Sequence, residues 1–144
     1  MAAALAEARA AAARGEVPVG AVVSAADGRV LAAAGNRTRE RHDPTAHAEI
    51  LALRAACAVM GSERLPGATL HVTLEPCPMC AAAIAQARIA TLVYGASDPK
   101  SGGIEQGPRI FSHPQSHHVP QVIAGIGESE AAALLRAFFQ RLRA

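Results

Sequence analysis

Aromatic residues are scarce in this 144-residue chain: it has no Trp, one Tyr (Tyr94) and three Phe (Phe111, Phe138 and Phe139). Any core must therefore be built from aliphatic and small side chains, chiefly Ala, within a chain that is 51% hydrophobic. Long apolar runs are missing too. None reaches the length of a membrane span, and no segment has the layout of an export signal. The Ala-rich start, Met1–Glu16, carries Glu7, Arg9 and Arg14 and reads as an amphipathic helix. Neither sign of charge dominates: 14 basic against 12 acidic residues leave a formal net charge of +2, and Lys100 is the single lysine. That balance neither requires nor forbids an RNA partner. A membrane or DNA partner is not expected. With only three cysteines, two of them in one short motif, the chain fits a reducing cytoplasm. Its length suits one domain with a real core. No repeat or linker breaks it, so a single domain over residues 1–144 is expected.

The informative stretches are "PTAHAEILALRAA", Pro44–Ala56, and "TLHVTLEPCPMCAAAIAQAR", Thr69–Arg88. Cys77 and Cys80 are three apart, so on a helix they are neighbours on one face. Pro76 and Pro78 place them at or near a helix N-terminus, where the dipole favours a thiolate. His47 can add a third ligand from another helix start, and three protein ligands with one open position is the catalytic zinc arrangement. Glu49 lies two residues on. Residues two apart do not share a helix face, so Glu49 is read as approaching a metal-held water and not as a ligand. A lone C-x-x-C also fits a redox pair or half of a structural zinc site. A structural site needs four ligands, however, and Cys57 sits in an apolar helical run as a small hydrophobe. Together the segments spell H-x-E with P-C-x-x-C, a pattern shared with the zinc-dependent nucleobase deaminases.

Periodicity gives a helix over Ala2–Arg14 stopped by Gly15 and Pro18, then a hairpin of Val19–Ser24 and Val30–Ala34 around Asp27-Gly28. A polar loop, Gly35–Thr45, carries Arg37, Arg39 and Arg41 and leads into His47. Asn36 in that loop can donate and accept, which suits a ribose or purine edge; the plainer reading is a turn asparagine. His42 and Asp43 read as loop surface or a helix cap. Ala46–Met60 reads as a buried helix. A strand (Thr69–Thr73), a helix (Met79–Arg88) and a strand (Thr91–Gly95) make a βαβ unit with a parallel pair. A fifth strand falls within Val119–Ile126. Ser129 is read as capping a last helix whose stripe of Ala131, Leu134, Leu135, Phe138, Phe139 and Leu142 faces the core. His113, His117 and His118 cluster in a Gly- and Pro-rich segment, read as loop surface in preference to a second metal site.

These residues carry a resemblance to the bacterial tRNA-specific adenosine deaminases, within the cytidine deaminase-like superfamily. It rests on "VPVGAVV", Val17–Val23; "GNR", Gly35–Arg37; "HDPTAHAEILALRAA", His42–Ala56; "VTLEPCPMC", Val72–Cys80; "VYGASDPKSGG", Val93–Gly103; and "LLRAFFQRLR", Leu134–Arg143. Ile104–His118 departs from the commonest form of the family, and His71 stands where many members have an aromatic residue. The resemblance implies an α/β fold, a three-layer α/β/α sandwich with a five-stranded mixed sheet, and a homodimer. It implies adenosine-to-inosine conversion at the wobble position of an arginine tRNA anticodon. It carries the zinc ligands onto His47, Cys77 and Cys80, one ion per subunit, and the proton shuttle onto Glu49. It sets Asn36 against the target nucleoside and Asp98 and Lys100 near the RNA. It also places the terminal helix with Phe138 and Phe139 beside the anticodon loop, in competition with the core reading; one Phe can serve each role, and Phe139 is the substrate-binding candidate. Lys100, Arg37 and the terminal arginines are the candidates for phosphate contact. Two other functions stay open: a zinc-dependent deaminase of free guanine or cytosine, and a non-catalytic zinc-stabilised RNA-binding subunit. Glu49 argues against the second, since a structural metal has no use for a buried, unliganded carboxylate.

Overall fold

The structure, a computed structural model, describes residues Met1–Ala144. In chain order the elements are α1 (Ala2–Ala13), β1 (Gly20–Ser24), β2 (Val30–Gly35), α2 (Ala48–Met60), β3 (Thr69–Leu74), α3 (Pro78–Gln86), β4 (Thr91–Ala96), a 3-10 turn (Ile110–Ser112), β5 (Gln121–Ala124) and α4 (Glu128–Arg143). The five strands form one mixed sheet in the order β2-β1-β3-β4-β5. β1 is antiparallel to both of its neighbours, while β3, β4 and β5 run parallel. The expected βαβ unit is therefore β3-α3-β4. No helix is long and apolar enough to cross a membrane.

Small side chains decide how the layers meet. Ala21 and Val23 of β1 join the main core with Ala48, Ala52, Leu53 and Ala56 of α2 and with Leu70 and Val72 of β3. The alternate residue Gly20 faces α1, as period-two strand geometry requires. A Cβ there would lie 2.0 Å from the carbonyl oxygen of Ala4 and 2.6 Å from the amide nitrogen of Ala8. α1 can come this close because its inward face is Ala4, Leu5, Ala8 and Ala11. On that layer α1 also touches α4, and α2 packs with α3 on the other. Close backbone approach thus replaces the volume that aromatics would have filled.

Three boundaries differ from expectation, each for a local reason. α2 begins at Ala48, not Ala46, because the amides of Ala46 and His47 donate to the carbonyls of Asp43 and Thr45 in tight turns. α3 ends at Gln86, since Arg88 adopts a left-handed φ of 60° that turns the chain away. α4 starts at Glu128, so Ser129 lies inside the helix and does not cap it. Gly127, at φ 74°, holds the capping position with no side-chain bond. β5 spans Gln121–Ala124, inside the expected range.

Candidate active site

His47 and Cys77 occupy equivalent places. Each is the residue just before a helix, with extended backbone: φ −70°, ψ 153° for His47 and φ −70°, ψ 171° for Cys77. Neither side chain caps its own helix. For α2 that task falls to Asn36, whose Oδ1 accepts from the Ala48 amide at 2.8 Å. The His47 imidazole is thereby released to face the cysteines. Pro78 opens α3, and Cys80 lies buried in its first turn.

The three candidate ligand atoms lie within 4.8 Å of one another. His47 Nδ1 is 3.6 Å from Cys77 Sγ and 3.5 Å from Cys80 Sγ. Zinc bonds of about 2.3 Å to sulfur and about 2.0–2.1 Å to nitrogen, at tetrahedral angles, put nitrogen and sulfur about 3.5 Å apart. The donor set and its spacing therefore fit a tetrahedral metal with its fourth position free.

The protonation of the cluster follows from its packing. Hydrogen bonding from the Cys80 thiol, with further bonding from His47 and the Cys80 amide, holds the Cys77 thiol down to about 4 against the opposing effect of burial. Cys80 is driven far above its ordinary value by its bond to Cys77, by burial and by nearby negative charge. The bond to Cys77, with the charges of Glu49 and Cys77, raises His47 against burial. Burial is the main force on Glu49, which is only 4% exposed and is pushed up from 4.5 to about 7.

His47, Glu49 and Cys77 line a pocket of about 250 Å³, walled by Asn36 and Thr38 on one side and by Asp98 and Ser101 on the other. Val17, Leu74, Asp98 and Ser101 also line a larger groove of about 590 Å³, which continues to α4 and carries Lys100, Arg136, Phe139 and Arg143. Of the substrate-binding candidates, Asn36 lies in the metal pocket, Asp98 at the junction, and Lys100 and Phe139 in the groove. Arg37 pairs with Glu40 at 2.6 Å and lines neither cavity. The Phe pair is divided: Phe138 is 5% exposed and Phe139 is 40% exposed, with their rings edge to face at 5.4 Å. The histidine cluster forms no metal site. His113 and His118 set Nε2 against the carbonyls of Pro108 and Ile89, and His117 is exposed.

Two buried carboxylates had not been singled out in the sequence. Glu75 accepts from the Ser97 hydroxyl and from the amides of Asp98, Ile104, Glu105 and Gln106. Burial opposes its ionisation, but the four amides outweigh it and hold the carboxyl below 4.5. Glu16 accepts from the amides of Arg39 and Glu40 and from the Thr38 hydroxyl. One carboxylate anchors each loop that walls the pocket. The available signal was a Glu wedged between an apolar strand and Pro76-Cys77.

Residues 1–143 match the MafB19-like deaminase family. A tRNA-specific adenosine deaminase of Agrobacterium fabrum is 61% identical over 140 residues, covering 97% of this chain and 91% of that protein. The chain belongs to the tRNA-specific adenosine deaminase family. The Bacillus subtilis member is 42% identical, with 97% of this chain and 86% of that one covered. A solved structure from a study of A-to-I editing by tRNA:A34 deaminases superimposes with a TM-score of 0.92 at 61% identity, covering 94% and 97% of the two chains. The guanine deaminase of Nitrosomonas europaea shares the fold at a TM-score of 0.81 and 27% identity, over 94% of this chain and 80% of that one. The protein is thus a deaminase with the expected five-stranded mixed sheet, and His47, Cys77 and Cys80 form its possible metal site.

Proposed function

We propose that the protein hydrolyses adenosine to inosine at the wobble position of a tRNA anticodon, an arginine tRNA by family resemblance. It would use one zinc ion per subunit held by His47, Cys77 and Cys80, and act as a homodimer in the cytoplasm. The observation that carries this reading is a histidine and two cysteines at tetrahedral spacing beside a buried glutamate, at one end of an open groove.

Zinc would supply the Lewis acidity that makes water nucleophilic near neutral pH. Glu49 takes a proton from the attacking water and gives it to the ring nitrogen beside C6. It then takes the proton of the new C6 hydroxyl and passes it to the departing amine, leaving the C6 carbonyl. Water is consumed and ammonia released, so the balance is adenosine plus water to inosine plus ammonia. Burial raises the Glu49 carboxyl above its ordinary value, which favours its holding a proton between the two transfers. The Asn36 carbonyl is committed to α2, which leaves its Nδ2 donor for the nucleoside.

The groove favours RNA over a free base. The pocket is smaller than the roughly 300–1,000 Å³ of drug-sized sites, which suits one base. A free base would have no use for the adjoining channel with Lys100, Arg136 and Arg143. The test is inosine and ammonia formation from an anticodon stem-loop, set against ammonia formation from free guanine. Activity on guanine alone would assign the protein to the other branch.

A further inference from the structure

We propose that Glu75 is a positioning residue, whose carboxylate fastens the Ser97–Gln106 loop across the pocket and so sets where Asp98 and Ser101 stand. The Glu75 side chain is buried and forms no ion pair. Its charge is met by five neutral donors from one loop: Ser97 Oγ at 3.3 Å and the Asp98 amide at 3.1 Å on Oε1, and the Ile104, Glu105 and Gln106 amides at 3.1, 2.9 and 3.0 Å on Oε2. Only an acceptor-only group can satisfy so many converging N–H groups. The loop backbone lies directly on it. A Cβ at Gly102 would come within 2.6 Å of the carboxyl carbon and of Oε2. The Gly103 amide then bonds the Pro76 carbonyl at 2.8 Å. Glu75 is two residues before Cys77, so one short segment carries both a metal ligand and the anchor of the opposite wall. The same loop delivers Asp98 and Ser101 to the pocket and Lys100 to the groove.

Glu75→Gln preserves shape and removes half of the accepting capacity. Its remaining oxygen can keep the three amides of Ile104–Gln106, which leaves an NH₂ group facing the Asp98 amide. The loss is thereby focused on Asp98. This inference rests on the RNA deaminase reading for its kinetic arm alone. With zinc-loaded Glu75→Gln, zinc per chain stays at the parent level and kcat stays within about threefold. KM for the anticodon stem-loop rises about tenfold, in keeping with the loss of one part-buried hydrogen bond to a charged acceptor. The Asp98 amide also exchanges faster with solvent, while the amides of β3 and β4 do not. Gly102→Ala gives the same pattern by pushing the loop off an intact carboxylate, and it serves if the Gln variant fails to fold. An unchanged KM, or zinc and kcat falling together at constant KM, would overturn the proposal. If the parent itself does not act on the stem-loop, the functional reading fails, and the exchange rate of the Asp98 amide still decides the role of Glu75.

Discussion

Replacing Glu49 with Gln separates what the carboxyl does for chemistry from what it costs the fold. The substitution is isosteric, lies outside the ligand set and removes proton transfer together with the ionisable group. Turnover by the zinc-loaded variant should fall 10²- to 10⁴-fold, which is about 2.7–5.4 kcal/mol at 1.36 kcal/mol per tenfold. The stability effect has the opposite sign. Burial raises the folded-state pKa from 4.5 to about 7. The folded metal-free chain therefore binds a proton that the unfolded chain has lost between those values. Stability is complete below 4.5 and declines as pH rises through 7. The displacement amounts to about 3 kcal/mol at 1.36 kcal/mol per unit. Gln carries no such penalty. Chelator-stripped Glu49→Gln should then be more stable than the stripped parent at pH 8, with Tm about 6–12 °C higher at roughly 2–4 °C per kcal/mol. The difference should vanish near pH 4. Thermal unfolding at both pH values and single-turnover deamination measure the two halves. Retained turnover, or a Tm difference independent of pH, refutes the reasoning.

Replacing both Cys77 and Cys80 with Ser should abolish stoichiometric zinc, as elemental analysis would read directly; metal retained by that variant removes the site. Phe138→Ala should lower Tm by roughly 10 °C, because truncating a buried Phe costs about 3–5 kcal/mol. Phe139→Ala should leave Tm nearly unchanged and weaken stem-loop binding by the roughly 1–3 kcal/mol of a lost base stack, and equal behaviour of the two variants would contradict their different burial. Lys100→Ala should reduce the slope of log K against log salt by about 0.7, the single-strand value for one phosphate contact. An unaltered slope takes Lys100 out of the RNA path.

The sequence made the candidate metal cluster legible and the scaffolding of the loops opaque. His47, Glu49, Cys77 and Cys80 are residue types with few other uses at such spacing, so both halves of the centre could be named before the fold was known. The hairpin around Gly28 and the parallel pair β3/β4 were equally readable, because turn chemistry and periodicity are local signals. Glu75 was legible only as a Glu between an apolar strand and Pro76-Cys77, and its role was not, since its partners lie 22 to 31 residues further on. No local pattern announces that five donors will converge. Asn36 was readable only in part: its capacity to bond was plain, but its tie to the Ala48 amide depends on how β2 and α2 meet. The division of Phe138 from Phe139 was expected as one Phe for each role, although helical spacing alone puts both near the core edge and only the packing of α4 fixes which one is buried.

The positions of the ligands explain why the site needs these helpers. A residue just before a helix ordinarily turns its side chain back to satisfy the first free amides, a contribution of about 1 kcal/mol. His47 and Cys77 both give this up and point across at each other. Asn36 restores the contribution for α2, and Pro78 lessens the need in α3 by bringing no amide hydrogen. Two helix N-termini, each a partial positive charge, then converge on the possible metal position. That would be unfavourable unless the ligands brought negative charge of their own. Two thiolates would do so and would cancel a divalent ion's charge. The dipoles would then favour negative charge developing on an attacking water. Replacing either cysteine with histidine would keep a good ligand but leave a net positive centre facing two positive helix ends, which is a physical reason for this site to pair one imidazole with two thiolates.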